Sequence, residues 1–255
     1  MALHNATGSI SISIDATIAS IEFGHPASNS FPAQLLHQLT ETIETLGQNP
    51  DVAILVLKSQ GTATFCAGAS FDELLAVTNE TEGKAFFSGF AHVINAMRKC
   101  PKLIVGRVQG KAVGGGVGVA AACDYVLASQ EASIKLSELA IGIGPFVIEP
   151  AVARKIGKTA LTELSLTAQE WKSAAWAKEK GLYAKTFESI EKLDEAVAEF
   201  THQLATYNLE ALQELKKVLW EGTEHWDSLL LDRSAITGKL VVSEVTKTAL
   251  AAFKK

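Results

Sequence analysis

The chain has 255 residues, of which 47% are hydrophobic and 20% charged, a composition typical of a folded globular protein and too apolar for a disordered one. Its net charge of -5 argues against broad binding to nucleic acid or to a membrane surface. The 3 cysteines form no CxxC pair and the 6 histidines lack ligand spacing, so neither a disulfide framework nor a metal site is predicted.

The length predicts one large domain, and the cysteine usage fits a reducing compartment. The first arginine is Arg98, and no apolar run near the N-terminus resembles a secretory signal. We therefore expect a cytoplasmic protein.

The first quarter of the chain predicts a hairpin, a helix and a buried strand. Isoleucines alternate with serines over 10–14, and a second apolar run follows at 18–23, which is typical of two antiparallel strands. Apolar residues at helical spacing predict a helix over 31–46. The continuous apolar run 52–57 predicts a parallel strand buried on both faces.

The rest of the chain predicts alternating strands and helices, followed by helices alone. After a turn at 61–69 we expect a helical stretch through about 99, broken near Gly83 and Gly89. The further predicted elements are a strand at 103–108, a turn and a helix of small residues at 113–122, strands at 125–128 and 134–136, and helices at 171–180, 193–207 and 209–220.

Two glycine-containing segments, 65–69 and 108–116, each lie between a predicted strand and a predicted helix. Small residues let the backbone approach a ligand closely, and N–H groups at the start of a helix point outward. Either segment alone is also consistent with a structural turn. The glycine triplet 114–116 lacks the Rossmann spacing, and no P-loop motif is present, so dinucleotide and nucleoside triphosphate binding are rejected.

In order and spacing, a set of short motifs resembles the crotonase (enoyl-CoA hydratase/isomerase) superfamily over nearly the whole chain. The matching motifs are His25-Pro26-Ala27-Ser28-Asn29, Phe65-Cys66-Ala67-Gly68-Ala69, Cys100-Pro101-Lys102, Val108-Gln109-Gly110, Gly114-Gly115-Gly116, Cys123-Asp124, and Ser137-Glu138 followed by Gly142-Ile143-Gly144-Pro145. Several matches in the same order are far more specific than any one of them.

The resemblance implies an α/β fold, a spiral of ββα units with a helical C-terminal trimerisation region. It implies a core over 1–195 for acyl-CoA binding and catalysis, and a region over 196–255 for oligomerisation. The expected partners are an acyl-CoA substrate and copies of the same chain in a homotrimer or dimer of trimers. Coenzyme A is part of the substrate, and no other cofactor is expected.

The resemblance also implies the residues of the site. The backbone N–H groups of Ala67 and Gly115 are expected to hold the thioester oxygen, with Glu138 as the acid/base. The segment 65–71, together with Ala27 and Ser28, is expected to contact coenzyme A through main-chain groups. Ser70 stands where many relatives carry Asp, and that change leaves the backbone contacts of the segment unaffected. The implied substrate contacts are Ala27, Ser28, Phe65, Ala69, Ser70, Phe71, Gly114, Gly118, Pro145 and Phe146.

The chain departs from a simple hydratase at Gly118, where hydratases of the superfamily carry a first Glu. Hydration is well served by two carboxylates, whereas one carboxylate is enough to move a double bond. The sequence therefore favours an enoyl-CoA isomerase. The alternatives are a hydratase, including a branched-chain or methylglutaconyl-type one, another crotonase lyase, or a catalytically silent acyl-CoA-binding protein.

Three residues have competing interpretations. Glu138 follows Ser137 and is also consistent with a carboxylate at the start of a helix. Glu149 follows an apolar stretch after Pro145 and is a candidate substitute acid, with a surface or helix-capping role as the alternative. Cys66 lies in the first glycine segment, and we expect a packed thiol there because no adjacent base is identifiable.

Overall fold

Nine strands form two sheets in the computed structural model, which describes residues 8–253. The six-stranded sheet has the order β1-β2-β3-β5-β7-β9, and the three-stranded sheet has the order β4-β6-β8. The strands are β1 Ser9–Asp15, β2 Ile18–Gly24, β3 Ile54–Ser59, β4 Thr64–Cys66, β5 Ile104–Val108, β6 Lys111–Val113, β7 Tyr125–Ser129, β8 Ile134–Lys135 and β9 Lys185–Phe187.

The predicted hairpin, helix and buried strand are all confirmed. Strands β1 and β2 pair antiparallel, with Ile12 opposite Ile21, and β2 then pairs in parallel with β3. The intervening helix α1, Ala33–Gln48, turns Leu35, Leu36 and Leu39 into the core, each fully buried. Burial of this apolar stripe is the main reason for the helix to form here.

The fold repeats one unit, in which a strand of the large sheet is followed by a strand of the small sheet and then by helix. β3 and β4 precede α2 and α3, β5 and β6 precede α4, and β7 and β8 precede a 3₁₀ helix and α5. This confirms the predicted spiral of ββα units. Strands β4 and β6 are absent from the sequence prediction, because three residues are too few to show a period of two.

The helices cover both sheets. None of those described over 8–253 is long and apolar enough to cross a membrane. Their bounds are α2 Phe71–Ala76, α3 Glu80–Lys99, α4 Gly115–Ala122, the 3₁₀ helix Leu139–Ile141, α5 Glu149–Leu166 with a kink at Gly157, α6 Ala174–Glu179, α7 Ile190–Ala205, α8 Leu209–Leu219, α9 Trp226–Val241 and α10 Glu244–Phe253.

The predicted breaks in the third helix are wrong, because α3 runs through Gly83 and Gly89 without interruption. These glycines let neighbouring helices pack closely against α3, and they do not end the helix. A Cβ atom at position 83 would lie 2.8 Å from the Cα atom of Gly238 on α9, and one at position 89 would lie 2.8 Å from Cδ1 of Leu36 on α1. Helix α3 is thus held tightly between α1 and α9.

The C-terminal helices dock on the same chain. Helix α7 crosses the predicted division at 195/196 and buries Leu193 and Val197 against the large sheet. Helix α8 is anchored by Lys216, whose ammonium lies 2.9 Å from the carboxylate of Asp124, with both side chains nearly inaccessible to solvent. Residues 1–7 and 254–255, at the outer ends of the two predicted regions, lie outside the described residues.

Candidate active site

Three loops meet where the three strands of the small sheet end. Strands β4, β6 and β8 run in parallel, so their carboxyl ends lie at one edge. The segments that follow them, 67–70, 114–116 and 136–138, contain most of the predicted chemistry. Ligands of α/β proteins commonly bind at such an edge.

A cavity of about 550 Å³ opens between these loops and the helices that face them. Its lining is mostly apolar, and Lys135 and Glu138 are its charged residues. A cavity of this size and polarity suits a small organic ligand. The lining residues are Ala67, Gly68, Ala69, Phe71, Leu74, Phe87, Phe90, Val113, Gly114, Gly115, Lys135, Ser137, Glu138, Ala140, Ile141, Ile143, Gly144, Pro145, Phe146, Val147, Ile148, Ala168, Gln169 and Thr237.

Glu138 lines the cavity, and one of its two carboxylate oxygens receives no hydrogen bond from the described residues. This oxygen is Oε2, and it is buried. Desolvation by burial raises the pKa of this carboxyl group to about 7, and a hydrogen bond from its own backbone N–H opposes part of that shift. A carboxyl group that is partly ionised near neutral pH can both remove and return a proton.

The alternative interpretation of Glu138, a carboxylate that caps a helix, is not supported. Glu138 precedes the 3₁₀ helix, but its side chain makes no capping hydrogen bond. The carboxylate instead lies against Gly114, where a Cβ atom would be 2.9 Å from Oε1 of Glu138. Gly114 also has a φ of 53°, a conformation that favours glycine. The acid is therefore next to the peptide that precedes Gly115.

The N–H group of Ala67 is already used, which contradicts its predicted role. It donates to the carbonyl oxygen of Ser28 at 3.0 Å and so fixes the loop at 25–30 to the end of β4. Asn29 holds the same loop, because its side-chain amide donates to the carbonyl oxygens of Gln60 and Thr64 at 2.8 Å each. Ala67 still lines the cavity, but its amide is not available to a ligand.

Two other N–H groups at the cavity are free. The N–H of Phe31 donates to Gly68 O and that of Ser70 donates to Phe31 O, whereas the N–H of Ala69 between them has no acceptor among residues 8–253. The N–H of Gly115, in the first turn of α4, likewise has no acceptor in that range. A Cβ atom at position 68 would lie 3.6 Å from the nitrogen of Gly115, so the two segments are in contact.

The predicted substrate contacts divide into two groups. Ala69, Phe71, Gly114, Pro145 and Phe146 line the cavity together with Glu138 and Gly115.

The other predicted contacts lie outside the lining. Ala27 and Ser28 are exposed on their loop, and Phe65 is fully buried in the core. Ser70 is buried and caps α2, with its hydroxyl oxygen accepting from the N–H of Glu73 at 3.4 Å. These residues shape or border the site without facing into it.

Gly118 lies beneath the cavity wall. A Cβ atom there would be 2.3 Å from Cγ2 and 2.5 Å from Cβ of Ile148, and Ile148 itself lines the cavity. The space that a side chain at position 118 would need is therefore filled by hydrocarbon. Ile148 can take this position only because residue 118 is glycine, so a carboxylate at 118 and isoleucine at 148 exclude each other.

Glu149 does not line the cavity. It begins α5, and its carboxylate accepts a hydrogen bond from Nη1 of Arg233 on α9. The same nitrogen donates to the carbonyl oxygen of Phe146 at 3.3 Å. The pair fixes the apolar wall 146–148 against α9, so the geometry favours a structural role for Glu149 at the start of α5 over the catalytic one.

Several lining residues were missed by the sequence analysis. Thr237 comes from α9, and Phe87 and Phe90 come from α3. The helical period of α3 places its two phenylalanines on one buried face, but nothing in the sequence shows that α9 closes the cavity. Lys135 lies two residues before the Ser137-Glu138 motif, and its charge next to that motif is the signal that could have identified it.

Cys66 is a packed thiol, as predicted. Its side chain is fully buried, and burial raises the pKa of the thiol to about 12, which keeps it protonated near neutral pH. Within residues 8–253 no group of three or more His, Cys, Asp or Glu side chains is arranged to hold a metal ion.

Comparisons with known proteins agree on one family. Residues 13–244 match the family model described as Enoyl-CoA hydratase/isomerase. The Delta(3,5)-Delta(2,4)-dienoyl-CoA isomerase, peroxisomal, of Arabidopsis thaliana is 26% identical over 226 residues, covering 82% of this chain and 80% of that protein. The short-chain-enoyl-CoA hydratase of Clostridium acetobutylicum is 27% identical over 242 residues, covering 94% and 92%.

A solved structure shows the same fold. The crystal structure of enoyl-CoA hydratase from Bacillus halodurans superposes with a TM-score of 0.88 at 21% identity, and the match covers 95% of this chain and 99% of that one. At this identity the likeness concerns the fold alone.

Proposed function

The chain belongs to the enoyl-CoA hydratase/isomerase family, and from that membership we propose that it moves a carbon–carbon double bond between the 2 and 3 positions of an acyl-CoA. The thioester is held through its carbonyl oxygen, and the acid/base is Glu138. Coenzyme A is part of the substrate, and the reaction needs no added cofactor.

The first chemical step forms an enolate. The carboxylate of Glu138 removes a proton from C2 of a 3-enoyl thioester, and the electron pair of that C–H bond passes through the carbonyl group to oxygen. Ala69 and Gly115 line the cavity, and their N–H groups, which no acceptor among the described residues takes, supply two donors for that oxygen. In enzymes of known mechanism, loss of one such donor costs about 3 to 4 kcal/mol of transition-state stabilisation.

The second step returns a proton from the same carboxyl group, whose hydrogen exchanges with solvent over repeated turnovers. The neutral carboxyl group of Glu138 donates this proton to C4 of the dienolate, which leaves the double bond between C2 and C3 and restores the carboxylate. No water, second acid or redox partner is consumed. The raised pKa of Glu138, about 7, suits a group that acts alternately as base and acid at neutral pH.

The observation that most favours isomerisation over hydration is the filled space at Gly118. Hydration needs a group that activates water as well as one that delivers a proton to carbon. Of residues 8–253, Glu138 is the single acidic residue that lines the cavity, and Ile148 occupies the place next to Gly118 where a second carboxylate would extend. The ion pair of Glu149 with Arg233 argues against Glu149 as the replacement.

Product analysis separates the candidate reactions. Purified enzyme is incubated with a 3-enoyl-CoA and, separately, with the corresponding 2-enoyl-CoA, and the products are followed by liquid chromatography and mass spectrometry. We expect interconversion of the two isomers without a gain of 18 mass units, the mass of water. Production of a 3-hydroxyacyl-CoA without isomerisation would support the hydratase alternatives, including the methylglutaconyl-type one, and would refute the proposal.

The silent-binding alternative predicts a different outcome. A protein that only binds acyl-CoA would turn over neither substrate, and Glu138→Gln would change nothing except affinity. We expect Glu138→Gln to keep measurable acyl-CoA binding and to lose isomerisation by several decades, since this residue is the sole proton carrier of the proposal.

We also propose that the chain acts in the cytoplasm as a homotrimer or a dimer of trimers. Apolar side chains exposed on the C-terminal helices support self-association, because exposed apolar groups that share one region commonly mark an interface. These side chains are Leu215, Val218, Leu219, Ile236 and Val245. Sedimentation equilibrium at several protein concentrations tests the proposal, and a monomer at micromolar concentration would refute it.

A further inference from the structure

Two lysines and one tryptophan form a cationic cluster beside the cavity, which we call the Lys111–Lys135 cluster. Nζ of Lys135 lies 4.7 Å from the centre of the Trp171 ring, and Nζ of Lys111 lies 5.3 Å from the same centre. The Trp171 side chain is 42% exposed, which is unusual for a large apolar ring. The face of a tryptophan attracts cations, so the ring fixes both ammonium groups in one place.

The register of the small sheet places both lysines on one face. Val113 of β6 pairs with Lys135 of β8, and Lys111 precedes Val113 by two residues. Because side chains alternate across a strand, Lys111, Val113 and Lys135 point to the same side. Val113 and Lys135 both line the cavity, so this side of the sheet faces it.

Neither ammonium group has an anionic partner in the described part of the chain. Among the ion pairs and hydrogen bonds of residues 8–253, none involves Nζ of Lys111 or Lys135. The neighbouring Lys172, by contrast, pairs with Glu163 and Glu170. Two like charges at one ring repel each other, and an anion bound between them would relieve that repulsion.

The cluster lies away from the segment expected to contact coenzyme A. That segment, 65–71, begins within β4 and continues past its end, whereas Lys135 belongs to β8, and β6 separates the two strands. Neighbouring strands are about 4.8 Å apart, so β8 is roughly 10 Å from β4. The free N–H groups of Ala69 and Gly115 lie at the ends of β4 and β6. From a thioester held there, the acyl group and not the nucleotide would extend past β6 towards Lys135.

We propose that Lys135, together with Lys111, binds a carboxylate at the far end of the acyl group, so that the substrate is the thioester of a short dicarboxylic acid. The inference rests on the proposed function insofar as the thioester oxygen is held by Ala69 and Gly115. Lys135 supplies charge-assisted hydrogen bonds to the carboxylate, and Trp171 holds the lysine in position. An acyl group that ends in methyl leaves both ammonium groups without a partner.

Binding of saturated thioesters tests this specificity. Isothermal titration calorimetry of the full chain compares glutaryl-CoA, which carries a terminal carboxylate, with pentanoyl-CoA and with free coenzyme A. The variants are Lys135→Met and Lys111→Met. The matched control is Lys158→Met, because Lys158 is exposed and forms no ion pair within residues 8–253.

We expect Lys135→Met to weaken glutaryl-CoA binding about tenfold, a loss typical of one charge-assisted contact. Lys111→Met should show a smaller loss, and pentanoyl-CoA and free coenzyme A should each change less than about twofold. Equal weakening of all three ligands would assign the cluster to the phosphates of coenzyme A and overturn the proposal. Unchanged binding of glutaryl-CoA would overturn it as well.

Neither saturated ligand can be isomerised, so this measurement does not depend on turnover. Failure of the proposed isomerisation would appear separately, in the product analysis with 3-enoyl-CoA.

Discussion

Packing at Gly118 gives a quantitative prediction. In Gly118→Ala the added Cβ atom would lie 2.3 Å from Cγ2 of Ile148, whereas carbon atoms in contact are normally about 3.5–4.0 Å apart. Ile148 must therefore move by more than about 1 Å, into the cavity that it lines. Overpacking of this kind costs roughly 1–3 kcal/mol, which for a chain of this size lowers the melting temperature by about 2–10 °C.

A double-mutant cycle isolates this contact. Ile148→Gly alone should cost more than about 2 kcal/mol, because it removes buried hydrocarbon and a Cβ atom that restricts the backbone. In Gly118→Ala/Ile148→Gly neither Cβ nor Cγ2 of residue 148 remains to overlap the added atom, so the total cost should fall short of the sum by about 1 kcal/mol or more. Urea denaturation of the four proteins measures the coupling. Ile43→Ala on α1, which packs against α3, serves as the control partner and should be additive with Gly118→Ala.

Additive costs at 118 and 148 would refute the packing argument and, with it, the physical reason for the missing second carboxylate. A functional variant extends the same test. Gly118→Glu alone should fold poorly and hydrate nothing, whereas Gly118→Glu/Ile148→Gly has room for the carboxylate and should gain hydration of 2-enoyl-CoA.

Three further predictions concern the acid Glu138, the glycine beside it at 114 and the anchoring lysine of α8 at 216. The kcat/KM for isomerisation should rise with pH through about 7, the raised pKa of Glu138, and Glu138→Gln should abolish that limb. The folded state binds the Glu138 proton up to about pH 7 and the unfolded state only up to about 4.5, so stability of the wild type should fall across this window. Glu138→Gln lacks this loss of stability, so at pH 8 its free energy of unfolding should exceed that of the wild type by roughly 3 kcal/mol at most. Urea midpoints of both proteins at pH 4.5 and 8 measure the difference. The same change of midpoint with pH in both proteins would contradict the prediction. Gly114→Ala should cut turnover at least tenfold and affect acyl-CoA binding less, because the added Cβ atom would lie 2.9 Å from Oε1 of Glu138 and displace that carboxylate. Steady-state kinetics measures the turnover and calorimetry the binding. Turnover at the wild-type rate would contradict the prediction. Lys216→Met leaves the buried carboxylate of Asp124 without its cation and should cost about 3–5 kcal/mol in urea denaturation, whereas exposed Lys217→Met should cost less than about 1 kcal/mol.

The sequence predicted the N-terminal hairpin and helix α1 well, because each of these elements has a clear period. Isoleucines alternate in β1, and the apolar stripe of α1 has a helical spacing. The predicted interruption of α3 was wrong, because a contact with another helix and not a break in α3 accounts for the glycine. A glycine at 83 is consistent with a break until the neighbouring helix is known, and the structure shows that Gly238 of α9 approaches it closely.

The site was predicted to the level of the loop and not to that of the individual amide. Successive N–H groups in the segment 67–69 differ in where they point, and the difference depends on partners distant in sequence. The Ser28 carbonyl takes the N–H of Ala67, and the bridge with Phe31 leaves that of Ala69 free. The wall at Ile148 and its contact with Gly118 likewise join residues 30 positions apart, and only the folded chain shows that they fill one space.

Exchange of substrate hydrogen with solvent tests the proposed proton carrier most directly. In D₂O, with 3-enoyl-CoA as substrate, the wild type should incorporate deuterium at C2 and C4 as the isomers interconvert, and nuclear magnetic resonance follows both positions. Glu138→Gln should bind the thioester and show neither exchange nor isomerisation. Isomerisation and exchange at the wild-type rate in Glu138→Gln would contradict the assignment of Glu138 as the acid/base beside the Ala69 and Gly115 amides.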